Sequence, residues 1–193
     1  ASCTTFAQIA NPAVTNYSDT PLSDITTYRY RIRAGDAGGN LSAFSAIASA
    51  TTPDGTPPTV PTNVVATPVS PTQINPSWTP STDNVAVTGY RVERCTGASC
   101  SNFVQVGTPS GASYSDTTLT NVTTYRYRVR ARDAIPNLSG YSSIVSATTP
   151  DGTPPSVPAG FTATAVAFNQ VNLAWTASTD NVAVTGYRVE RCT

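Results

Sequence analysis

Residues 125–131 alternate with a period of two: Tyr125, Tyr127, Val129 and Ala131 fall on one side of an extended chain, and Arg126, Arg128 and Arg130 on the other. Successive side chains of a strand point to opposite faces, so one face of this segment is expected in a core and the other toward water. Tyr90 and Val92 alternate with Arg91 and Glu93 in the same way. Further short segments at 64–66, 73–78, 103–106, 113–116 and 142–147 are separated by turn-forming clusters of Pro, Gly, Asn, Asp, Ser and Thr. With 90–94 and 125–131 they predict seven strands in roughly 90 residues, the pattern of an all-β sandwich.

The pattern then repeats. Ala1-Ser2-Cys3 returns as Ala98-Ser99-Cys100, and Thr51-Thr52-Pro53-Asp54-Gly55-Thr56 as Thr148-Thr149-Pro150-Asp151-Gly152-Thr153. Residues 81–96 return as 178–193, and every pair is 97 positions apart. A fixed period of that length marks a tandem array of small domains, an architecture used more often for spacers, scaffolds and fibres than for catalysis.

Composition narrows the function classes. The chain has no His and no Lys, so its 11 basic residues are all Arg, and 11 acidic residues balance them. The commonest general base and metal ligand is therefore missing. Zero net charge without long runs of one sign argues against nucleic acid or an acidic membrane as partner. Roughly a quarter of the chain is Ser or Thr, and 16 residues are Pro, which suits short strands joined by turns. No apolar run approaches the ~20 residues of a membrane-spanning helix, and no signal peptide is visible, so the chain reads as a mature or excised segment.

Cys95 and Cys100 flank a small turn-prone tip, Thr96-Gly97-Ala98-Ser99. They can close a hairpin loop as a disulfide, which implies an oxidising, extracellular setting; two free thiols are the alternative. A zinc site lacks the His or second local Cys pair that would complete a tetrahedral set.

At this point the chain resembles the fibronectin type III domain, in particular the modules found between domains of secreted bacterial carbohydrate-active enzymes and surface proteins. The residues that carry the resemblance are the Pro-rich run Thr56-Pro57-Pro58-Thr59-Val60-Pro61, Trp78 in the second strand, and Asp83-Asn84-Val85-Ala86-Val87-Thr88-Gly89-Tyr90. Leu119, Val122 and Tyr125 are similar to that family's tyrosine corner, and Asp36-Ala37-Gly38-Gly39-Asn40-Leu41-Ser42 to its sixth-to-seventh-strand turn. The resemblance implies tandem seven-stranded β-sandwiches: residues 1–53 as the C-terminal half of a module, 54–150 as a complete module, and 151–193 as the N-terminal half of a further one. It says little about function, because the fold is a generic module.

Each half module would leave an apolar face open: Tyr28, Tyr30 and Ile32 in the first, Phe161, Val171, Trp175 and Tyr187 in the last. The last half of one chain could complete the first half of the next, with Cys192 bridged to Cys3 of the neighbour. Such head-to-tail contacts propagate into a fibre. A long covalent array cut at a loop tip explains the same pattern, and closure of the two halves within one chain is a third arrangement.

Candidate chemistry is sparse. Trp78 and Trp175 could stack on sugars, but strand alternation places them, with Tyr90, Tyr125 and Tyr127, in the core. Arg126, Arg128 and Arg130, with Arg29, Arg31 and Arg33 one period earlier, could meet an anionic polysaccharide; the plainer expectation is a solvated face on which Glu93 pairs with arginines. Asp83 and Asn84, Asp180 and Asn181, Asp36 and Asn40, and Asp133 and Asn137 suggest calcium, yet no EF-hand spacing is present and all suit turns. No metal, cofactor or catalytic residue is expected: no His serves Ser113 or Ser115, and Glu93 and Glu190 are one period apart instead of paired. Function is accordingly expected to be structural, a secreted filament or surface stalk made of copies of the chain. The alternative is a spacer or carbohydrate-associated accessory module of a secreted glycosidase or adhesin.

Overall fold

The computed structural model describes residues 3–192; residues 1, 2 and 193, the outermost of the first and last segments, lie outside the description. The described chain is all-β, with ten strands in chain order: β1 Thr27–Tyr30, β2 Ala48–Thr51, β3 Thr62–Ser70, β4 Gln73–Thr79, β5 Val87–Thr96, β6 Val104–Gly107, β7 Thr124–Asp133, β8 Val145–Thr148, β9 Ala159–Ala167 and β10 Gln170–Thr176. The period is visible in the elements, since β1 and β2 lie 97 positions before β7 and β8, and β9 and β10 lie 97 after β3 and β4.

Strands β3 to β8 form a two-layer sandwich. One layer is the antiparallel four-stranded sheet β6-β5-β7-β8, and the other is the β3-β4 hairpin. The expected strand at 113–116 is reduced to two isolated bridges, Ile74 with Asp116 and Ser77 with Ser113, which continue the β3-β4 layer. Gly107 explains part of the crowding: a Cβ there would collide with the ring of Tyr114, whose hydroxyl donates to the Val106 carbonyl at 2.7 Å. The inward residues of both layers make one core of Val64, Ile74, Trp78, Tyr90, Val92, Leu119, Tyr125, Tyr127, Val129 and Ala131. Trp78 and Tyr90 meet edge to face with centroids 5.1 Å apart, a favoured aromatic geometry.

The tyrosine hydroxyls of this core are paired. Thr120 N–H donates to the Tyr125 hydroxyl at 2.9 Å, fixing the corner before β7, and Ser23 N–H donates to Tyr28 at the same distance one period earlier. Tyr127, with no exposure, donates to Asp116 Oδ2 at 2.8 Å, while Arg94 Nη1 donates to both oxygens of Asp116. Burial first, and then the Asp116 bond, hold the Tyr127 phenol far above its usual pKa.

The flanking segments differ from the expectation of intact strands. Each pairs only as a hairpin, β1 with β2 and β9 with β10. The stretch around Tyr187 and Arg191 is not a strand among the described residues, although its counterpart β5 is the centre of a sheet. β5 is held between β6 and β7, whereas among the described residues no strand lies beside the stretch around Tyr187 and no ladder forms. Likewise β1 is four residues where β7 is ten, because no β5-like strand lies against it. Trp175 is corrected by the same reasoning. It is half-buried instead of core, touching Phe161 and Tyr187 at centroid distances of 6.3 Å and 5.2 Å with no second sheet over it.

Candidate functional site

Three places carry the chemistry singled out above: the hairpin tip at Cys95, the arginine face, and the module junctions. At the tip, β5 ends at Thr96 and the chain turns through Gly97, whose φ of 109° lies in the region glycine tolerates. Cys100 N–H donates to the Gly97 carbonyl at 3.3 Å, and a disulfide joins Cys95 to Cys100 with Cα atoms 5.9 Å apart. Arg126 on β7 donates to the Cys100 carbonyl. One period earlier Arg29 donates to the Cys3 carbonyl at 3.0 Å. Cys3 and Cys192 are exposed thiols, joined neither to each other nor to another cysteine, so the chain is not closed on itself through them.

The arginine face is not the solvated surface the alternation suggests. Arg128 lies over the rings of Tyr141 (3.8 Å) and Phe103 (4.4 Å), and Arg130 over Tyr141 at 4.6 Å. Glu93, on the neighbouring strand and directly opposite Arg128 in the ladder, is only 7 % exposed. It accepts from Arg128 at 2.6 and 2.8 Å and from the Tyr141 hydroxyl at 2.7 Å. Burial pushes the Glu93 carboxyl up, but those two hydrogen bonds and the charges of Arg128 and Arg130 together outweigh it and leave it below its usual value. The missed signal was the aromatic residues flanking the strand: Phe103 and Tyr141 roof the sheet and desolvate it. Arg31 between Phe6 and Phe44 repeats the arrangement one period earlier.

The junctions are hydrogen-bonded on both sides. Asp24, in the corner of the first segment, accepts from Thr56 Oγ1 at 2.7 Å, and with Gly55 N–H this holds its carboxyl below the usual value. Asp54 Oδ1 accepts from Thr56 N–H at 3.0 Å and from Asn84 Nδ2 at 3.2 Å, and Asn137 Nδ2 reaches the Asp54 carbonyl at 3.3 Å. The second junction repeats this: Asn121 donates to Thr153 at 2.7 Å and Asn181 to Asp151 at 3.0 Å. The Asp and Asn residues thus perform turn duty, as Asp83 does in accepting from Val85 and Ala86 N–H. They also gather: one carboxylate oxygen from each of Asp54, Asp83 and Asp133 lies within 4.8 Å of the others. Among the described residues no helix is long and apolar enough to cross a membrane.

The disulfide tip, the aromatic-covered arginine face and the bonded junctions are features of one β-sandwich. The family model for the fibronectin type III domain matches residues 58–148. Residues 58–148 belong to the fibronectin type III family. The chain is 46 % identical over 198 residues to Exoglucanase B of Cellulomonas fimi, an alignment covering 95 % of the chain and 17 % of that protein. It is 45 % identical over 144 residues to Exoglucanase A of the same organism, covering 70 % of the chain and 16 % of that protein. Chitinase A1 of Niallia circulans is 39 % identical over 141 residues, covering 70 % of the chain and 19 % of that protein. The chain therefore spans less than a fifth of the length of each. Among solved structures, titin domains A168–A170 share the fold, with a TM-score of 0.50 at 23 % identity over 56 % of this chain and 37 % of theirs.

Proposed function

We propose that the chain is a non-catalytic spacer of tandem fibronectin type III modules within a secreted carbohydrate-active enzyme. The observation that carries this reading is the alignment with Exoglucanase B, which runs through 95 % of the chain, and hence through both junctions, while occupying 17 % of that enzyme. The segment is thus related to a small part of a much longer polypeptide whose chemistry has room to reside elsewhere. The chain's own chemistry supports the same role. Arg128 and Arg130 are engaged by Glu93 and Tyr141, and Arg128 also by Phe103, and the tip disulfide suits an oxidising, extracellular setting. Junctions bonded to the modules on either side favour an extended, semi-rigid link. Sedimentation with insoluble cellulose and chitin tests the reading: the chain is expected to stay in the supernatant. Saturable retention that falls on Arg126→Ala and Arg130→Ala substitution would replace it with a polysaccharide-binding accessory module.

A second reading, a head-to-tail filament, is favoured by one feature. The β9-β10 hairpin is exposed along its length, with Phe161 at 62 %, and such faces favour association. Arg29 also presents Cys3 as Arg126 presents Cys100, the arrangement a bridge from a neighbour's Cys192 would need. Light scattering after gel filtration tests this reading: concentration-dependent oligomers that dissociate on reduction would support it, and a monomer with both thiols freely alkylated would contradict it.

A further inference from the structure

The junction carboxylates do more than cap turns. Asp54 is 7 % exposed and Asp133 4 %, and with Asp83 they bring three negative charges to one place where the linker meets the module. The three ion pairs found among the described residues use Glu93 and Asp116 and none of these three. Two of the group's oxygens are buried without any hydrogen-bond donor: Asp54 Oδ2 and Asp83 Oδ1. Burying an unpaired carboxylate oxygen beside two like charges is costly, so a missing positive partner is expected there.

The backbone organises the group for such a partner. Each carboxylate has its other contacts taken by local donors: Asp54 Oδ1 by Thr56 and Asn84, Asp83 Oδ2 by Val85 and Ala86, and Asp133 by Asn137 N–H and Nδ2. The same scaffolding recurs where the sandwich is incomplete. Asp151 Oδ1 accepts from Thr153 and Asn181, Asp180 Oδ2 from Val182 and Ala183, and Asp180 Oδ1 is again buried and unpartnered. Asp36, one period before Asp133, accepts from Asn40 in the same two-pronged way. A turn cap needs only one oxygen; holding the second in reserve, buried, at the equivalent positions Asp83 and Asp180, and at Asp54, points to a ligand.

We infer that Asp54, Asp83 and Asp133 form a divalent-cation site, with calcium as the ion, that clamps the linker to the module. The donors are all hard oxygens, which suit calcium and do not suit zinc or copper. Two ligands on one calcium at about 2.3–2.6 Å lie at most about 5 Å apart, and one oxygen from each of these carboxylates lies within 4.8 Å of the others. Magnesium, with bonds of about 2.0–2.1 Å and a demand for regular octahedral geometry, fits a cluster of protein carboxylates less well. The three aspartates come from the linker, the β4-to-β5 turn and the end of β7, so one ion ties together three separate stretches of chain.

The test uses the full 193-residue chain, stripped of metal and then titrated with calcium chloride, with thermal unfolding and calorimetric binding as readouts. Saturating calcium is expected to raise Tm by about 5 °C or more, with a much smaller shift for equal magnesium. Asp83→Asn keeps an oxygen for the turn and removes one charge. It is expected to unfold at or above the wild-type Tm in chelator, where like-charge repulsion is relieved, and below it in calcium, with calcium binding weakened at least tenfold. No calcium-dependent shift, an equal shift with magnesium, or an Asp83→Asn Tm lowered by the same amount with and without calcium would overturn the assignment.

Discussion

Arg128 shows how strongly a neighbour from another part of the chain changes the worth of a residue. By alternation alone it is a surface strand residue whose loss should be within about 0.5 kcal/mol of neutral. In the folded molecule it lies between Phe103 and Tyr141 and is the closest cation to a nearly buried Glu93. Arg128→Ala is therefore expected to cost roughly 1–3 kcal/mol, because it strips stacking and leaves a buried carboxylate short of its partner; chemical denaturation of the variant measures it. Glu93 also sets an acid response. Its folded pKa lies below the usual value near 4.5, so its contribution is fully present above that value and is lost as pH falls through the lower folded pKa. Tm of the wild type is expected to fall more steeply below pH 4.5 than that of Glu93→Gln, and parallel curves would contradict the linkage. Trp78→Ala, by contrast, removes a core ring and is expected to cost ~3–5 kcal/mol in the same denaturation experiment.

Elements were legible to the degree that their signal was local. The alternation at 125–131 and the apolar positions of 73–78 mark β7 and β4 because period two is written in those residues alone. The segment 113–116 pairs with β4 as expected, through backbone bonds of Tyr114 with Pro76 and Asp116 with Ile74, but as two separate bridges instead of a continuous strand; Asp116 as the partner of Tyr127 and Arg94 is a tertiary fact without local trace. The hairpins β1-β2 and β9-β10 were legible as strands but not in their length, which depends on a neighbouring strand. Asp83 and Asp133 stand out singly in the sequence, but their gathering with Asp54 stayed hidden because the three lie in the linker, the β4-to-β5 turn and the end of β7. Two element-scale outcomes follow. Replacing both Cys95 and Cys100 by Ser opens a loop whose closure stabilises by about 2 kcal/mol, so Tm should fall while the far-ultraviolet spectrum persists. Val122, a β-branched residue with φ of 48° in the corner before β7 and 47 % exposed, is strained without packing return. Val122→Gly is expected to stabilise by up to ~1 kcal/mol, read as a higher denaturation midpoint.

At the scale of the molecule, the period is the organising fact. Asn63 and Gly160 illustrate it: 97 positions apart, both take up left-handed backbone, with φ of 50° and 61° at the start of β3 and β9, a conformation that Asn and Gly tolerate best. Equivalent corner bonds and hydroxyl pairs, such as Thr27 with Thr51 at 2.7 Å and Thr124 with Thr148 at 2.8 Å, show one structural plan used again. A spacer needs that plan to add length without adding a fold that interacts with itself sideways. Small-angle X-ray scattering of two-, three- and four-unit arrays of residues 54–150, joined at their own junctions, tests this most directly. A module whose longest strands have ten residues spans roughly 35 Å, so the maximum dimension is expected to grow by about that increment with every added unit. A dimension that rises much more slowly, as it would if successive modules folded back on one another, would contradict the spacer function.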